Sequence, residues 1–247
     1  MIYLVTSRKE LFEPTLYEQC SPERALEMLT NVPVDAELGI KLLGADTETT
    51  GLNFLTKKIL TIQLGTEDFQ IVWDCTTIPI KLLKPILESE EFLTIWWNYL
   101  FDGLFLYKEG IVPKKVFDGM IAEKLMYLGI NYKDRLMDVK KELGEEYTPY
   151  SIKTAIKKYC GQDLDKTVRG QIISKGLTPT VIVYAANDVK WEIPMFRAQL
   201  LKLKEQDLVE AIKFENTFIK TLVYFKFCGV KLDITRWKNK WLKILKR

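Results

Sequence analysis

Four short apolar segments separated by turn-forming residues most constrain how this chain can fold. Three follow one another, KLLGADTE (41–48), KILTIQLGT (58–66) and FQIVWD (69–74), and the fourth, FLTIWWN, spans 92–98. Runs of this length that are rich in β-branched and aromatic residues predict strands. A further strand is predicted at IYLV (2–5).

Helical segments accompany these strands. The first opens at Ser21, followed directly by Pro22, which is a common start signal for a helix. The other helices are predicted at 79–89 as far as a proline, 99–110, 118–129, 133–144, 151–161 and 178–203, the last with Pro194 inside it. Successive strands followed by helices favour an α/β fold with a mixed sheet and helices on its faces.

The absence of histidine restricts the possible chemistry. None occurs among the 247 residues, which excludes Ser-His-Asp and Cys-His nucleophiles, histidine-ligated zinc and histidine general bases. The chain also lacks a phosphate-binding P-loop and a G-x-G-x-x-G fingerprint. Catalysis would therefore depend on carboxylates, tyrosine, lysine or a bound metal.

Composition indicates a cytoplasmic protein, or one of the host cytoplasm if the source is viral. The four cysteines are widely spaced without a C-x-x-C pair, so we expect reduced core residues. Neither a signal peptide nor an apolar run long enough to span a membrane is evident, so no membrane partner is expected. The net charge of +3 is compatible with nucleic acid but does not argue for it.

Two carboxylates stand at the exit of the 41–48 strand. Asp46 and Glu48 are two apart and therefore point to one face of the strand. Paired carboxylates repel one another unless a cation lies between them, and their hard oxygen atoms suit Mg²⁺ or Mn²⁺. The alternative is a solvated strand end with Asp46 capping the turn that follows.

Two later segments carry further acids. Asn98 and Asp102 are four apart and share a helix face if the helix begins that early, and Tyr184 and Asp188 are also four apart. Taken alone, Asp102 could simply favour the positive end of a helix dipole, and Asp188 could be a surface residue beside a packed tyrosine.

Three short motifs resemble, in their order along the chain, those of the DnaQ-like 3′–5′ exonucleases. They are Asp46-x-Glu48, Asn98-x-x-Phe101-Asp102 and Tyr184-x-x-x-Asp188. The third motif has the form of the tyrosine subclass (DEDDy). The resemblance spans roughly residues 40 to 200 and implies a ribonuclease H-like mixed sheet flanked by helices. The segment before the third motif resembles the corresponding segment in two kinds of family member, ribonuclease D and the proofreading domain of family A DNA polymerases.

The resemblance implies a catalytic set of Asp46, Glu48, Asp102, Tyr184 and Asp188, with the four acids as ligands of two Mg²⁺ ions that Mn²⁺ can replace. Asp46 would bridge both ions, Glu48 and Asp188 would complete the nucleophile-activating site, and Asp102 would hold the second ion through water. Tyr184 would orient the attacking water, because a hydroxyl with a pKa near 10 is a poor general base.

The resemblance also implies substrate-binding residues, which are Thr49, Leu52, Asn98 and Phe101. Core packing is the alternative for Leu52 and Phe101. We interpret a further acid, Asp118, as a helix N-cap. Lys166 is either a phosphate contact or a solvated surface lysine.

The segment 214–237, FENTFIKTLVYFKFCGVKLDITRW, resembles the opening of the polymerase part of family A enzymes. We therefore predict an exonuclease domain over 1–203 and a C-terminal helical extension over 204–247. The predicted partners are single-stranded DNA 3′ ends and a polymerase domain, in cis or in a separate chain. The predicted function is a proofreading 3′–5′ exodeoxyribonuclease that releases nucleoside 5′-monophosphates.

Two other functions stay open at this point. One is a ribonuclease D-like enzyme that trims RNA from its 3′ end. The other is a non-catalytic module that binds nucleic acid.

Overall fold

A mixed seven-stranded sheet forms the centre of the protein. The structure, a computed structural model, describes residues 1–164, 168, 170, 172 and 175–245, without the side chains of 239, 240 and 242–245. The strands are β1 Ile2–Val5, β2 Glu18–Gln19, β3 Lys41–Thr49, β4 Ile59–Gly65, β5 Gln70–Asp74, β6 Phe92–Trp96 and β7 Lys115–Asp118. Their order across the sheet is β2-β1-β5-β4-β3-β6-β7, and β4 runs antiparallel to both of its neighbours.

Ten α-helices occur in the described part of the chain. They are α1 Pro22–Thr30, α2 Lys84–Leu87, α3 Tyr99–Lys108, α4 Gly119–Met126, α5 Tyr132–Leu143, α6 Ile152–Cys160, α7 Pro179–Lys190, α8 Glu192–Glu205, α9 Val209–Cys228 and α10 Ile234–Leu245. Helix α1 begins as its sequence predicts, because the Ser21 side chain accepts the N–H of Arg24 and Pro22 needs no partner.

The sheet is buried on both faces, and consecutive residues of β3 reach opposite cores. Leu43 and Ala45 belong to the main core, to which α3 and α9 contribute. Leu42 belongs to a second core with Ile193 and Phe196 of α8. Strands buried on both faces have long apolar runs, which explains why these segments stand out in the sequence. Even-numbered residues of β3 therefore face α7 and α8, and odd-numbered ones face α3.

Several helix and strand predictions need correction. The stretch 178–203 is two helices rather than one, broken at Trp191, because Pro194 cannot donate the backbone hydrogen bond to Lys190 that a continuous helix needs. Pro85 does not end a helix but lies in the first turn of α2. The short strands β2 and β7 carry too little apolar pattern to be predicted.

The cysteines agree only in part with the expectation of buried core thiols. All four are free, and Cys20 is buried. Cys75 and Cys160 are only partly buried, and Cys228, the last residue of α9, is exposed. Within the described ranges, no helix has both the length and the apolar character needed to cross a membrane.

Candidate active site

Three carboxylates from distant segments meet at the end of β3. One oxygen from each of Asp46, Glu48 and Asp188 lies within 4.8 Å of the other two. Asp46 and Glu48 are even-numbered residues of β3, and Asp188 comes from α7, which packs across β3, β4 and β5. The strand alternation therefore brings the two acids of β3 to the face that carries Asp188. Three negative charges at this separation are a favourable ligand set for a hard divalent cation.

Tyr184 lies one turn before Asp188 on α7 and is almost fully buried. Burial, followed by the negative charges of Asp188 and Glu48, raises the pKa of its hydroxyl above the ordinary value. The Tyr184 side chain therefore stays neutral at any physiological pH and can act as a hydrogen-bonding group beside the carboxylates.

Asp102 lies in the same cleft but is not one of the three closely grouped acids. It is buried on α3, and the Thr47 hydroxyl donates a hydrogen bond to its Oδ1 at 2.5 Å. Burial, and then the charge of Asp46, raises the pKa of the Asp102 carboxyl well above its usual range, while the Thr47 hydrogen bond lowers it. Asp102 thus approaches the site from the α3 face of β3.

A cleft of about 430 Å³ contains all five predicted catalytic side chains. Tyr150, Ser151, Ile152 and Lys153, where α6 begins, form a further wall of this cleft. The sequence motifs gave no indication of this wall, because only the Ser151 N-cap marks the segment and caps occur at most helix starts.

The predicted substrate-binding residues occupy different positions. Leu52, 78% exposed, lies at the cleft and is not a core residue. Phe101 lines the cleft and also packs against the main core and the ring of Phe105. Its position therefore agrees with both substrate binding and core packing. Asn98 lines the cleft as well. The Thr49 hydroxyl donates to the carbonyl of Gly51, and Thr49 is not among the residues that line the cleft.

Asn98 does not belong to α3 but precedes it in a left-handed conformation, with φ of 68°. Its side chain makes no capping hydrogen bond. The cap is supplied by Asp118, whose carboxylate accepts the backbone N–H groups of Asn98 at 3.1 Å and Tyr99 at 2.8 Å.

The same Asp118 carboxylate caps α4, as its sequence predicts, by accepting the N–H groups of Met120 and Ile121. Asp118 therefore caps two helices at once. It fixes the start of the helix that carries Asp102. Lys166 lies outside the described residues.

Gly44 allows the α7–α8 junction to lie directly against β3. A Cβ atom at this position would be 2.6 Å from the carbonyl oxygen of Val189, closer than atoms can approach. A glycine is therefore required two residues before Asp46, and Asp188, the residue before Val189, is held close to the β3 acids.

Comparison with known proteins agrees with this geometry. Residues 16–204 match the 3′–5′ exonuclease family model of the DNA polymerase A type. The chain is 25% identical over 245 residues to DNA polymerase I of Aquifex aeolicus (strain VF5). That alignment covers 91% of this chain but 37% of the relative, so the chain spans well under half of the relative's length.

Solved structures share the fold at low sequence identity. Brucella melitensis NrnC with bound Mg²⁺ superimposes with a TM-score of 0.65 at 17% identity, covering 92% of this chain and 93% of NrnC. Escherichia coli RNase D, described as an exoribonuclease involved in structured RNA processing, gives a TM-score of 0.63 at 17% identity. It covers 90% of this chain and 50% of RNase D. With its ribonuclease H-like mixed sheet and its matched family model, the chain belongs to the DnaQ-like 3′–5′ exonucleases of the DNA polymerase A type.

Proposed function

We propose that this protein is a metal-dependent 3′–5′ exodeoxyribonuclease that removes nucleoside 5′-monophosphates from DNA 3′ ends as the proofreading part of a family A DNA polymerase. The observation that carries the metal-dependent reaction is the grouping of Asp46, Glu48 and Asp188 within 4.8 Å beside Tyr184. The DNA polymerase A family match and the DNA polymerase I relative support DNA as the substrate.

The donor set fits Mg²⁺, with Mn²⁺ as a substitute. Asp46, Glu48 and Asp188 supply only carboxylate oxygens, which are the ligands of these hard cations, and their mutual repulsion favours a bound cation. Asp102, oriented by Thr47, is placed to hold a second ion from the α3 face. When bound, two such ions supply a water-derived nucleophile and stabilise charge on the attacking and leaving oxygens.

The protein's own groups position the reactants. The neutral Tyr184 hydroxyl orients the attacking water, and Glu48 on the same side of the cleft shares this task. Asp102 stays in place because its oxygen accepts from Thr47 and its helix start is fixed by Asp118. Nearly all of the catalytic contribution of these residues is therefore orientation and charge placement.

The terminal nucleotide binds between Leu52 and Phe101. Leu52 is exposed at the cleft, where it can lie against a base, and the partly exposed Phe101 ring can stack on one. Asn98 lines the same cleft as Leu52 and Phe101 and can contact the DNA strand. We place Thr49 behind this surface, where its bond to Gly51 shapes the loop that carries Leu52.

A polymerase domain is the proposed partner of α9. An exposed apolar stripe follows one face of this helix at helical spacing, formed by Phe214, Phe218, Leu222 and Phe225. Large apolar side chains of this kind on one surface are typical of an interface. Since the DNA polymerase I relative is much longer than the aligned region, its polymerase part is the occupant that fits this stripe.

Digestion of labelled oligonucleotides tests the proposed function. Two 5′-labelled single strands of one sequence, one DNA and one RNA, are incubated with the protein and Mg²⁺ or EDTA, beside Asp46→Asn as the matched inactive control. A Mg²⁺-dependent ladder that shortens from the 3′ end on DNA, absent in the variant, supports the proposal.

A ribonuclease D-like activity is the second candidate, favoured by the fold shared with RNase D over 90% of this chain. A ladder found mainly on RNA would support it against the DNA enzyme. Binding of either strand without digestion would point to a non-catalytic module.

A further inference from the structure

Glu192 is a buried carboxyl group close to the metal ligands that the proposed reaction does not use. It is the first residue of α8, and its exposed fraction is 0%. Its Oε2 lies 2.6 Å from the backbone nitrogen of Ala45 and accepts that N–H, while Oε1 has no hydrogen-bond partner among the described residues. A glutamate that is fully buried beside other carboxylates is costly, so this position requires a specific reason.

The hydrogen bond between Ala45 and Glu192 lies where the pairing of β3 with β6 ends. The ladder between β3 and β6 ends at the pair Gly44 and Ile95. Ala45 is the next residue, which pairs with Leu64 of β4 on the other side, and its N–H is bound by Glu192. The Glu192 side chain thus takes the role of a strand partner for the last amide before Asp46.

We propose that Glu192 is a positioning residue whose acceptor oxygen holds the Ala45–Asp46 peptide and, through it, the metal-binding carboxylate of Asp46. This inference rests on the proposed metal centre. The close approach at Gly44, where a Cβ atom would lie 3.0 Å from Glu192 Oε2, shows that the carboxyl is tightly enclosed against the strand.

To accept the Ala45 N–H, the side chain at position 192 must be long enough to reach it but needs no negative charge. Burial, followed by the charge of Asp46, raises the pKa of the Glu192 carboxyl well above its usual range, which agrees with a group that acts by hydrogen bonding. Three variants separate reach from the carboxyl group. Glu192→Gln keeps the acceptor at the same reach without a carboxyl group, Glu192→Asp keeps the carboxyl group but is one methylene too short, and Glu192→Leu has neither.

The test is a titration of each variant with Mn²⁺, followed by the electron paramagnetic resonance signal of free Mn²⁺. We expect Glu192→Gln to retain wild-type affinity and Glu192→Asp and Glu192→Leu to bind at least about tenfold more weakly, as is typical when a support of a metal ligand is removed. The control is Gln199→Leu, on the same helix and equally buried, whose side chain bonds Gly119 at 3.0 Å and Glu123 at 3.2 Å instead. This variant should keep wild-type affinity.

Amide hydrogen exchange in the metal-free protein gives a second measurement. The Ala45 amide should exchange faster in the Asp and Leu variants but not in Glu192→Gln. If Glu192→Leu does not fold, the Gln and Asp variants alone decide. Weak binding by Glu192→Gln together with wild-type binding by Glu192→Asp would overturn the inference, as would wild-type binding by Glu192→Leu. A wild-type protein that binds no Mn²⁺ would overturn the proposed metal centre itself, and this inference with it.

Discussion

The hydroxyl of Thr47 lies 2.5 Å from Oδ1 of Asp102, although 55 residues of chain separate the two. Thr47 is the residue between Asp46 and Glu48, and strand alternation points it to the opposite face of β3. The two acids meet α7 on one face, while Thr47 meets α3 on the other. One three-residue segment thereby joins both helices that supply the remaining acids.

Replacing Thr47 by valine should impair both catalysis and folding. Valine has nearly the shape of threonine but donates no hydrogen bond, so Asp102 loses its side-chain partner. We expect kcat/KM on a labelled DNA strand to fall by about 10- to 100-fold, and the free energy of unfolding to fall by about 1–3 kcal/mol.

Thr47→Ser, which keeps the hydroxyl, is the matched control and should stay close to wild type. Wild-type kcat/KM in the valine variant would show that Asp102 does not need this donor.

The carboxylate site was largely predictable from the sequence, because its residues occur in short motifs with regular spacing. A period of two places Asp46 and Glu48 together, a period near four places Tyr184 and Asp188 together, and the family motifs connect the two. The grouping of three of these acids agrees with that expectation.

The sequence predicted Asp118 as a helix N-cap, but not that it also caps α3, and it gave no sign of Glu192, because these contacts join segments distant in sequence. Glu192 reaches across 147 residues to Ala45, and Asp118 reaches across about 20 residues to the start of α3. Neither belongs to a motif, and a buried glutamate has no periodic signature. The role of Thr47 was accessible in principle, since alternation alone assigns it to the face opposite the acids.

Asp46→Asn should stabilise the metal-free protein while abolishing stabilisation by metal. Removing one of three charges within 4.8 Å relieves repulsion, which is worth on the order of 1 kcal/mol even when it is screened as in bulk water. Such a gain raises Tm by about 2–4 °C in a chain of this size. We therefore expect a higher Tm than wild type in EDTA.

With Mn²⁺ added, only the wild type should gain further stability. Its free energy of unfolding should rise by about 2.7 kcal/mol at a hundredfold excess of Mn²⁺ over Kd. Thermal unfolding with and without Mn²⁺ measures both effects. Equal metal-dependent gains in the two proteins would place the ion elsewhere.

The loss of activity in Tyr184→Phe should not vary with pH between about 7 and 9. Burial raises the pKa of the Tyr184 hydroxyl above the ordinary tyrosine value of about 10, so the proton stays on the oxygen through most of this range. A group that orients water by a hydrogen bond then contributes the same factor at every pH. The measurement is the ratio of wild-type to variant kcat with Mg²⁺ across this range.

If the hydroxyl instead acted as a phenolate base, its charged fraction would grow about tenfold per pH unit below its pKa, and the ratio would rise with pH. A rising ratio would therefore contradict the orienting role. Tyr147→Phe, a tyrosine outside the cleft, serves as the control and should leave kcat unchanged.

Asp118→Ala should destabilise the fold more than the loss of an ordinary helix cap. Its carboxylate accepts four backbone N–H groups, two at the start of α3 and two at the start of α4, at 2.8 to 3.2 Å. Loss of one cap costs about 1 kcal/mol, and leaving buried donors unsatisfied costs more, so we expect about 2–4 kcal/mol. Asn131→Ala removes the cap of α5 alone and provides the comparison in urea unfolding. A loss no larger than that of Asn131→Ala would mean that water replaces the carboxylate at one of the two helices.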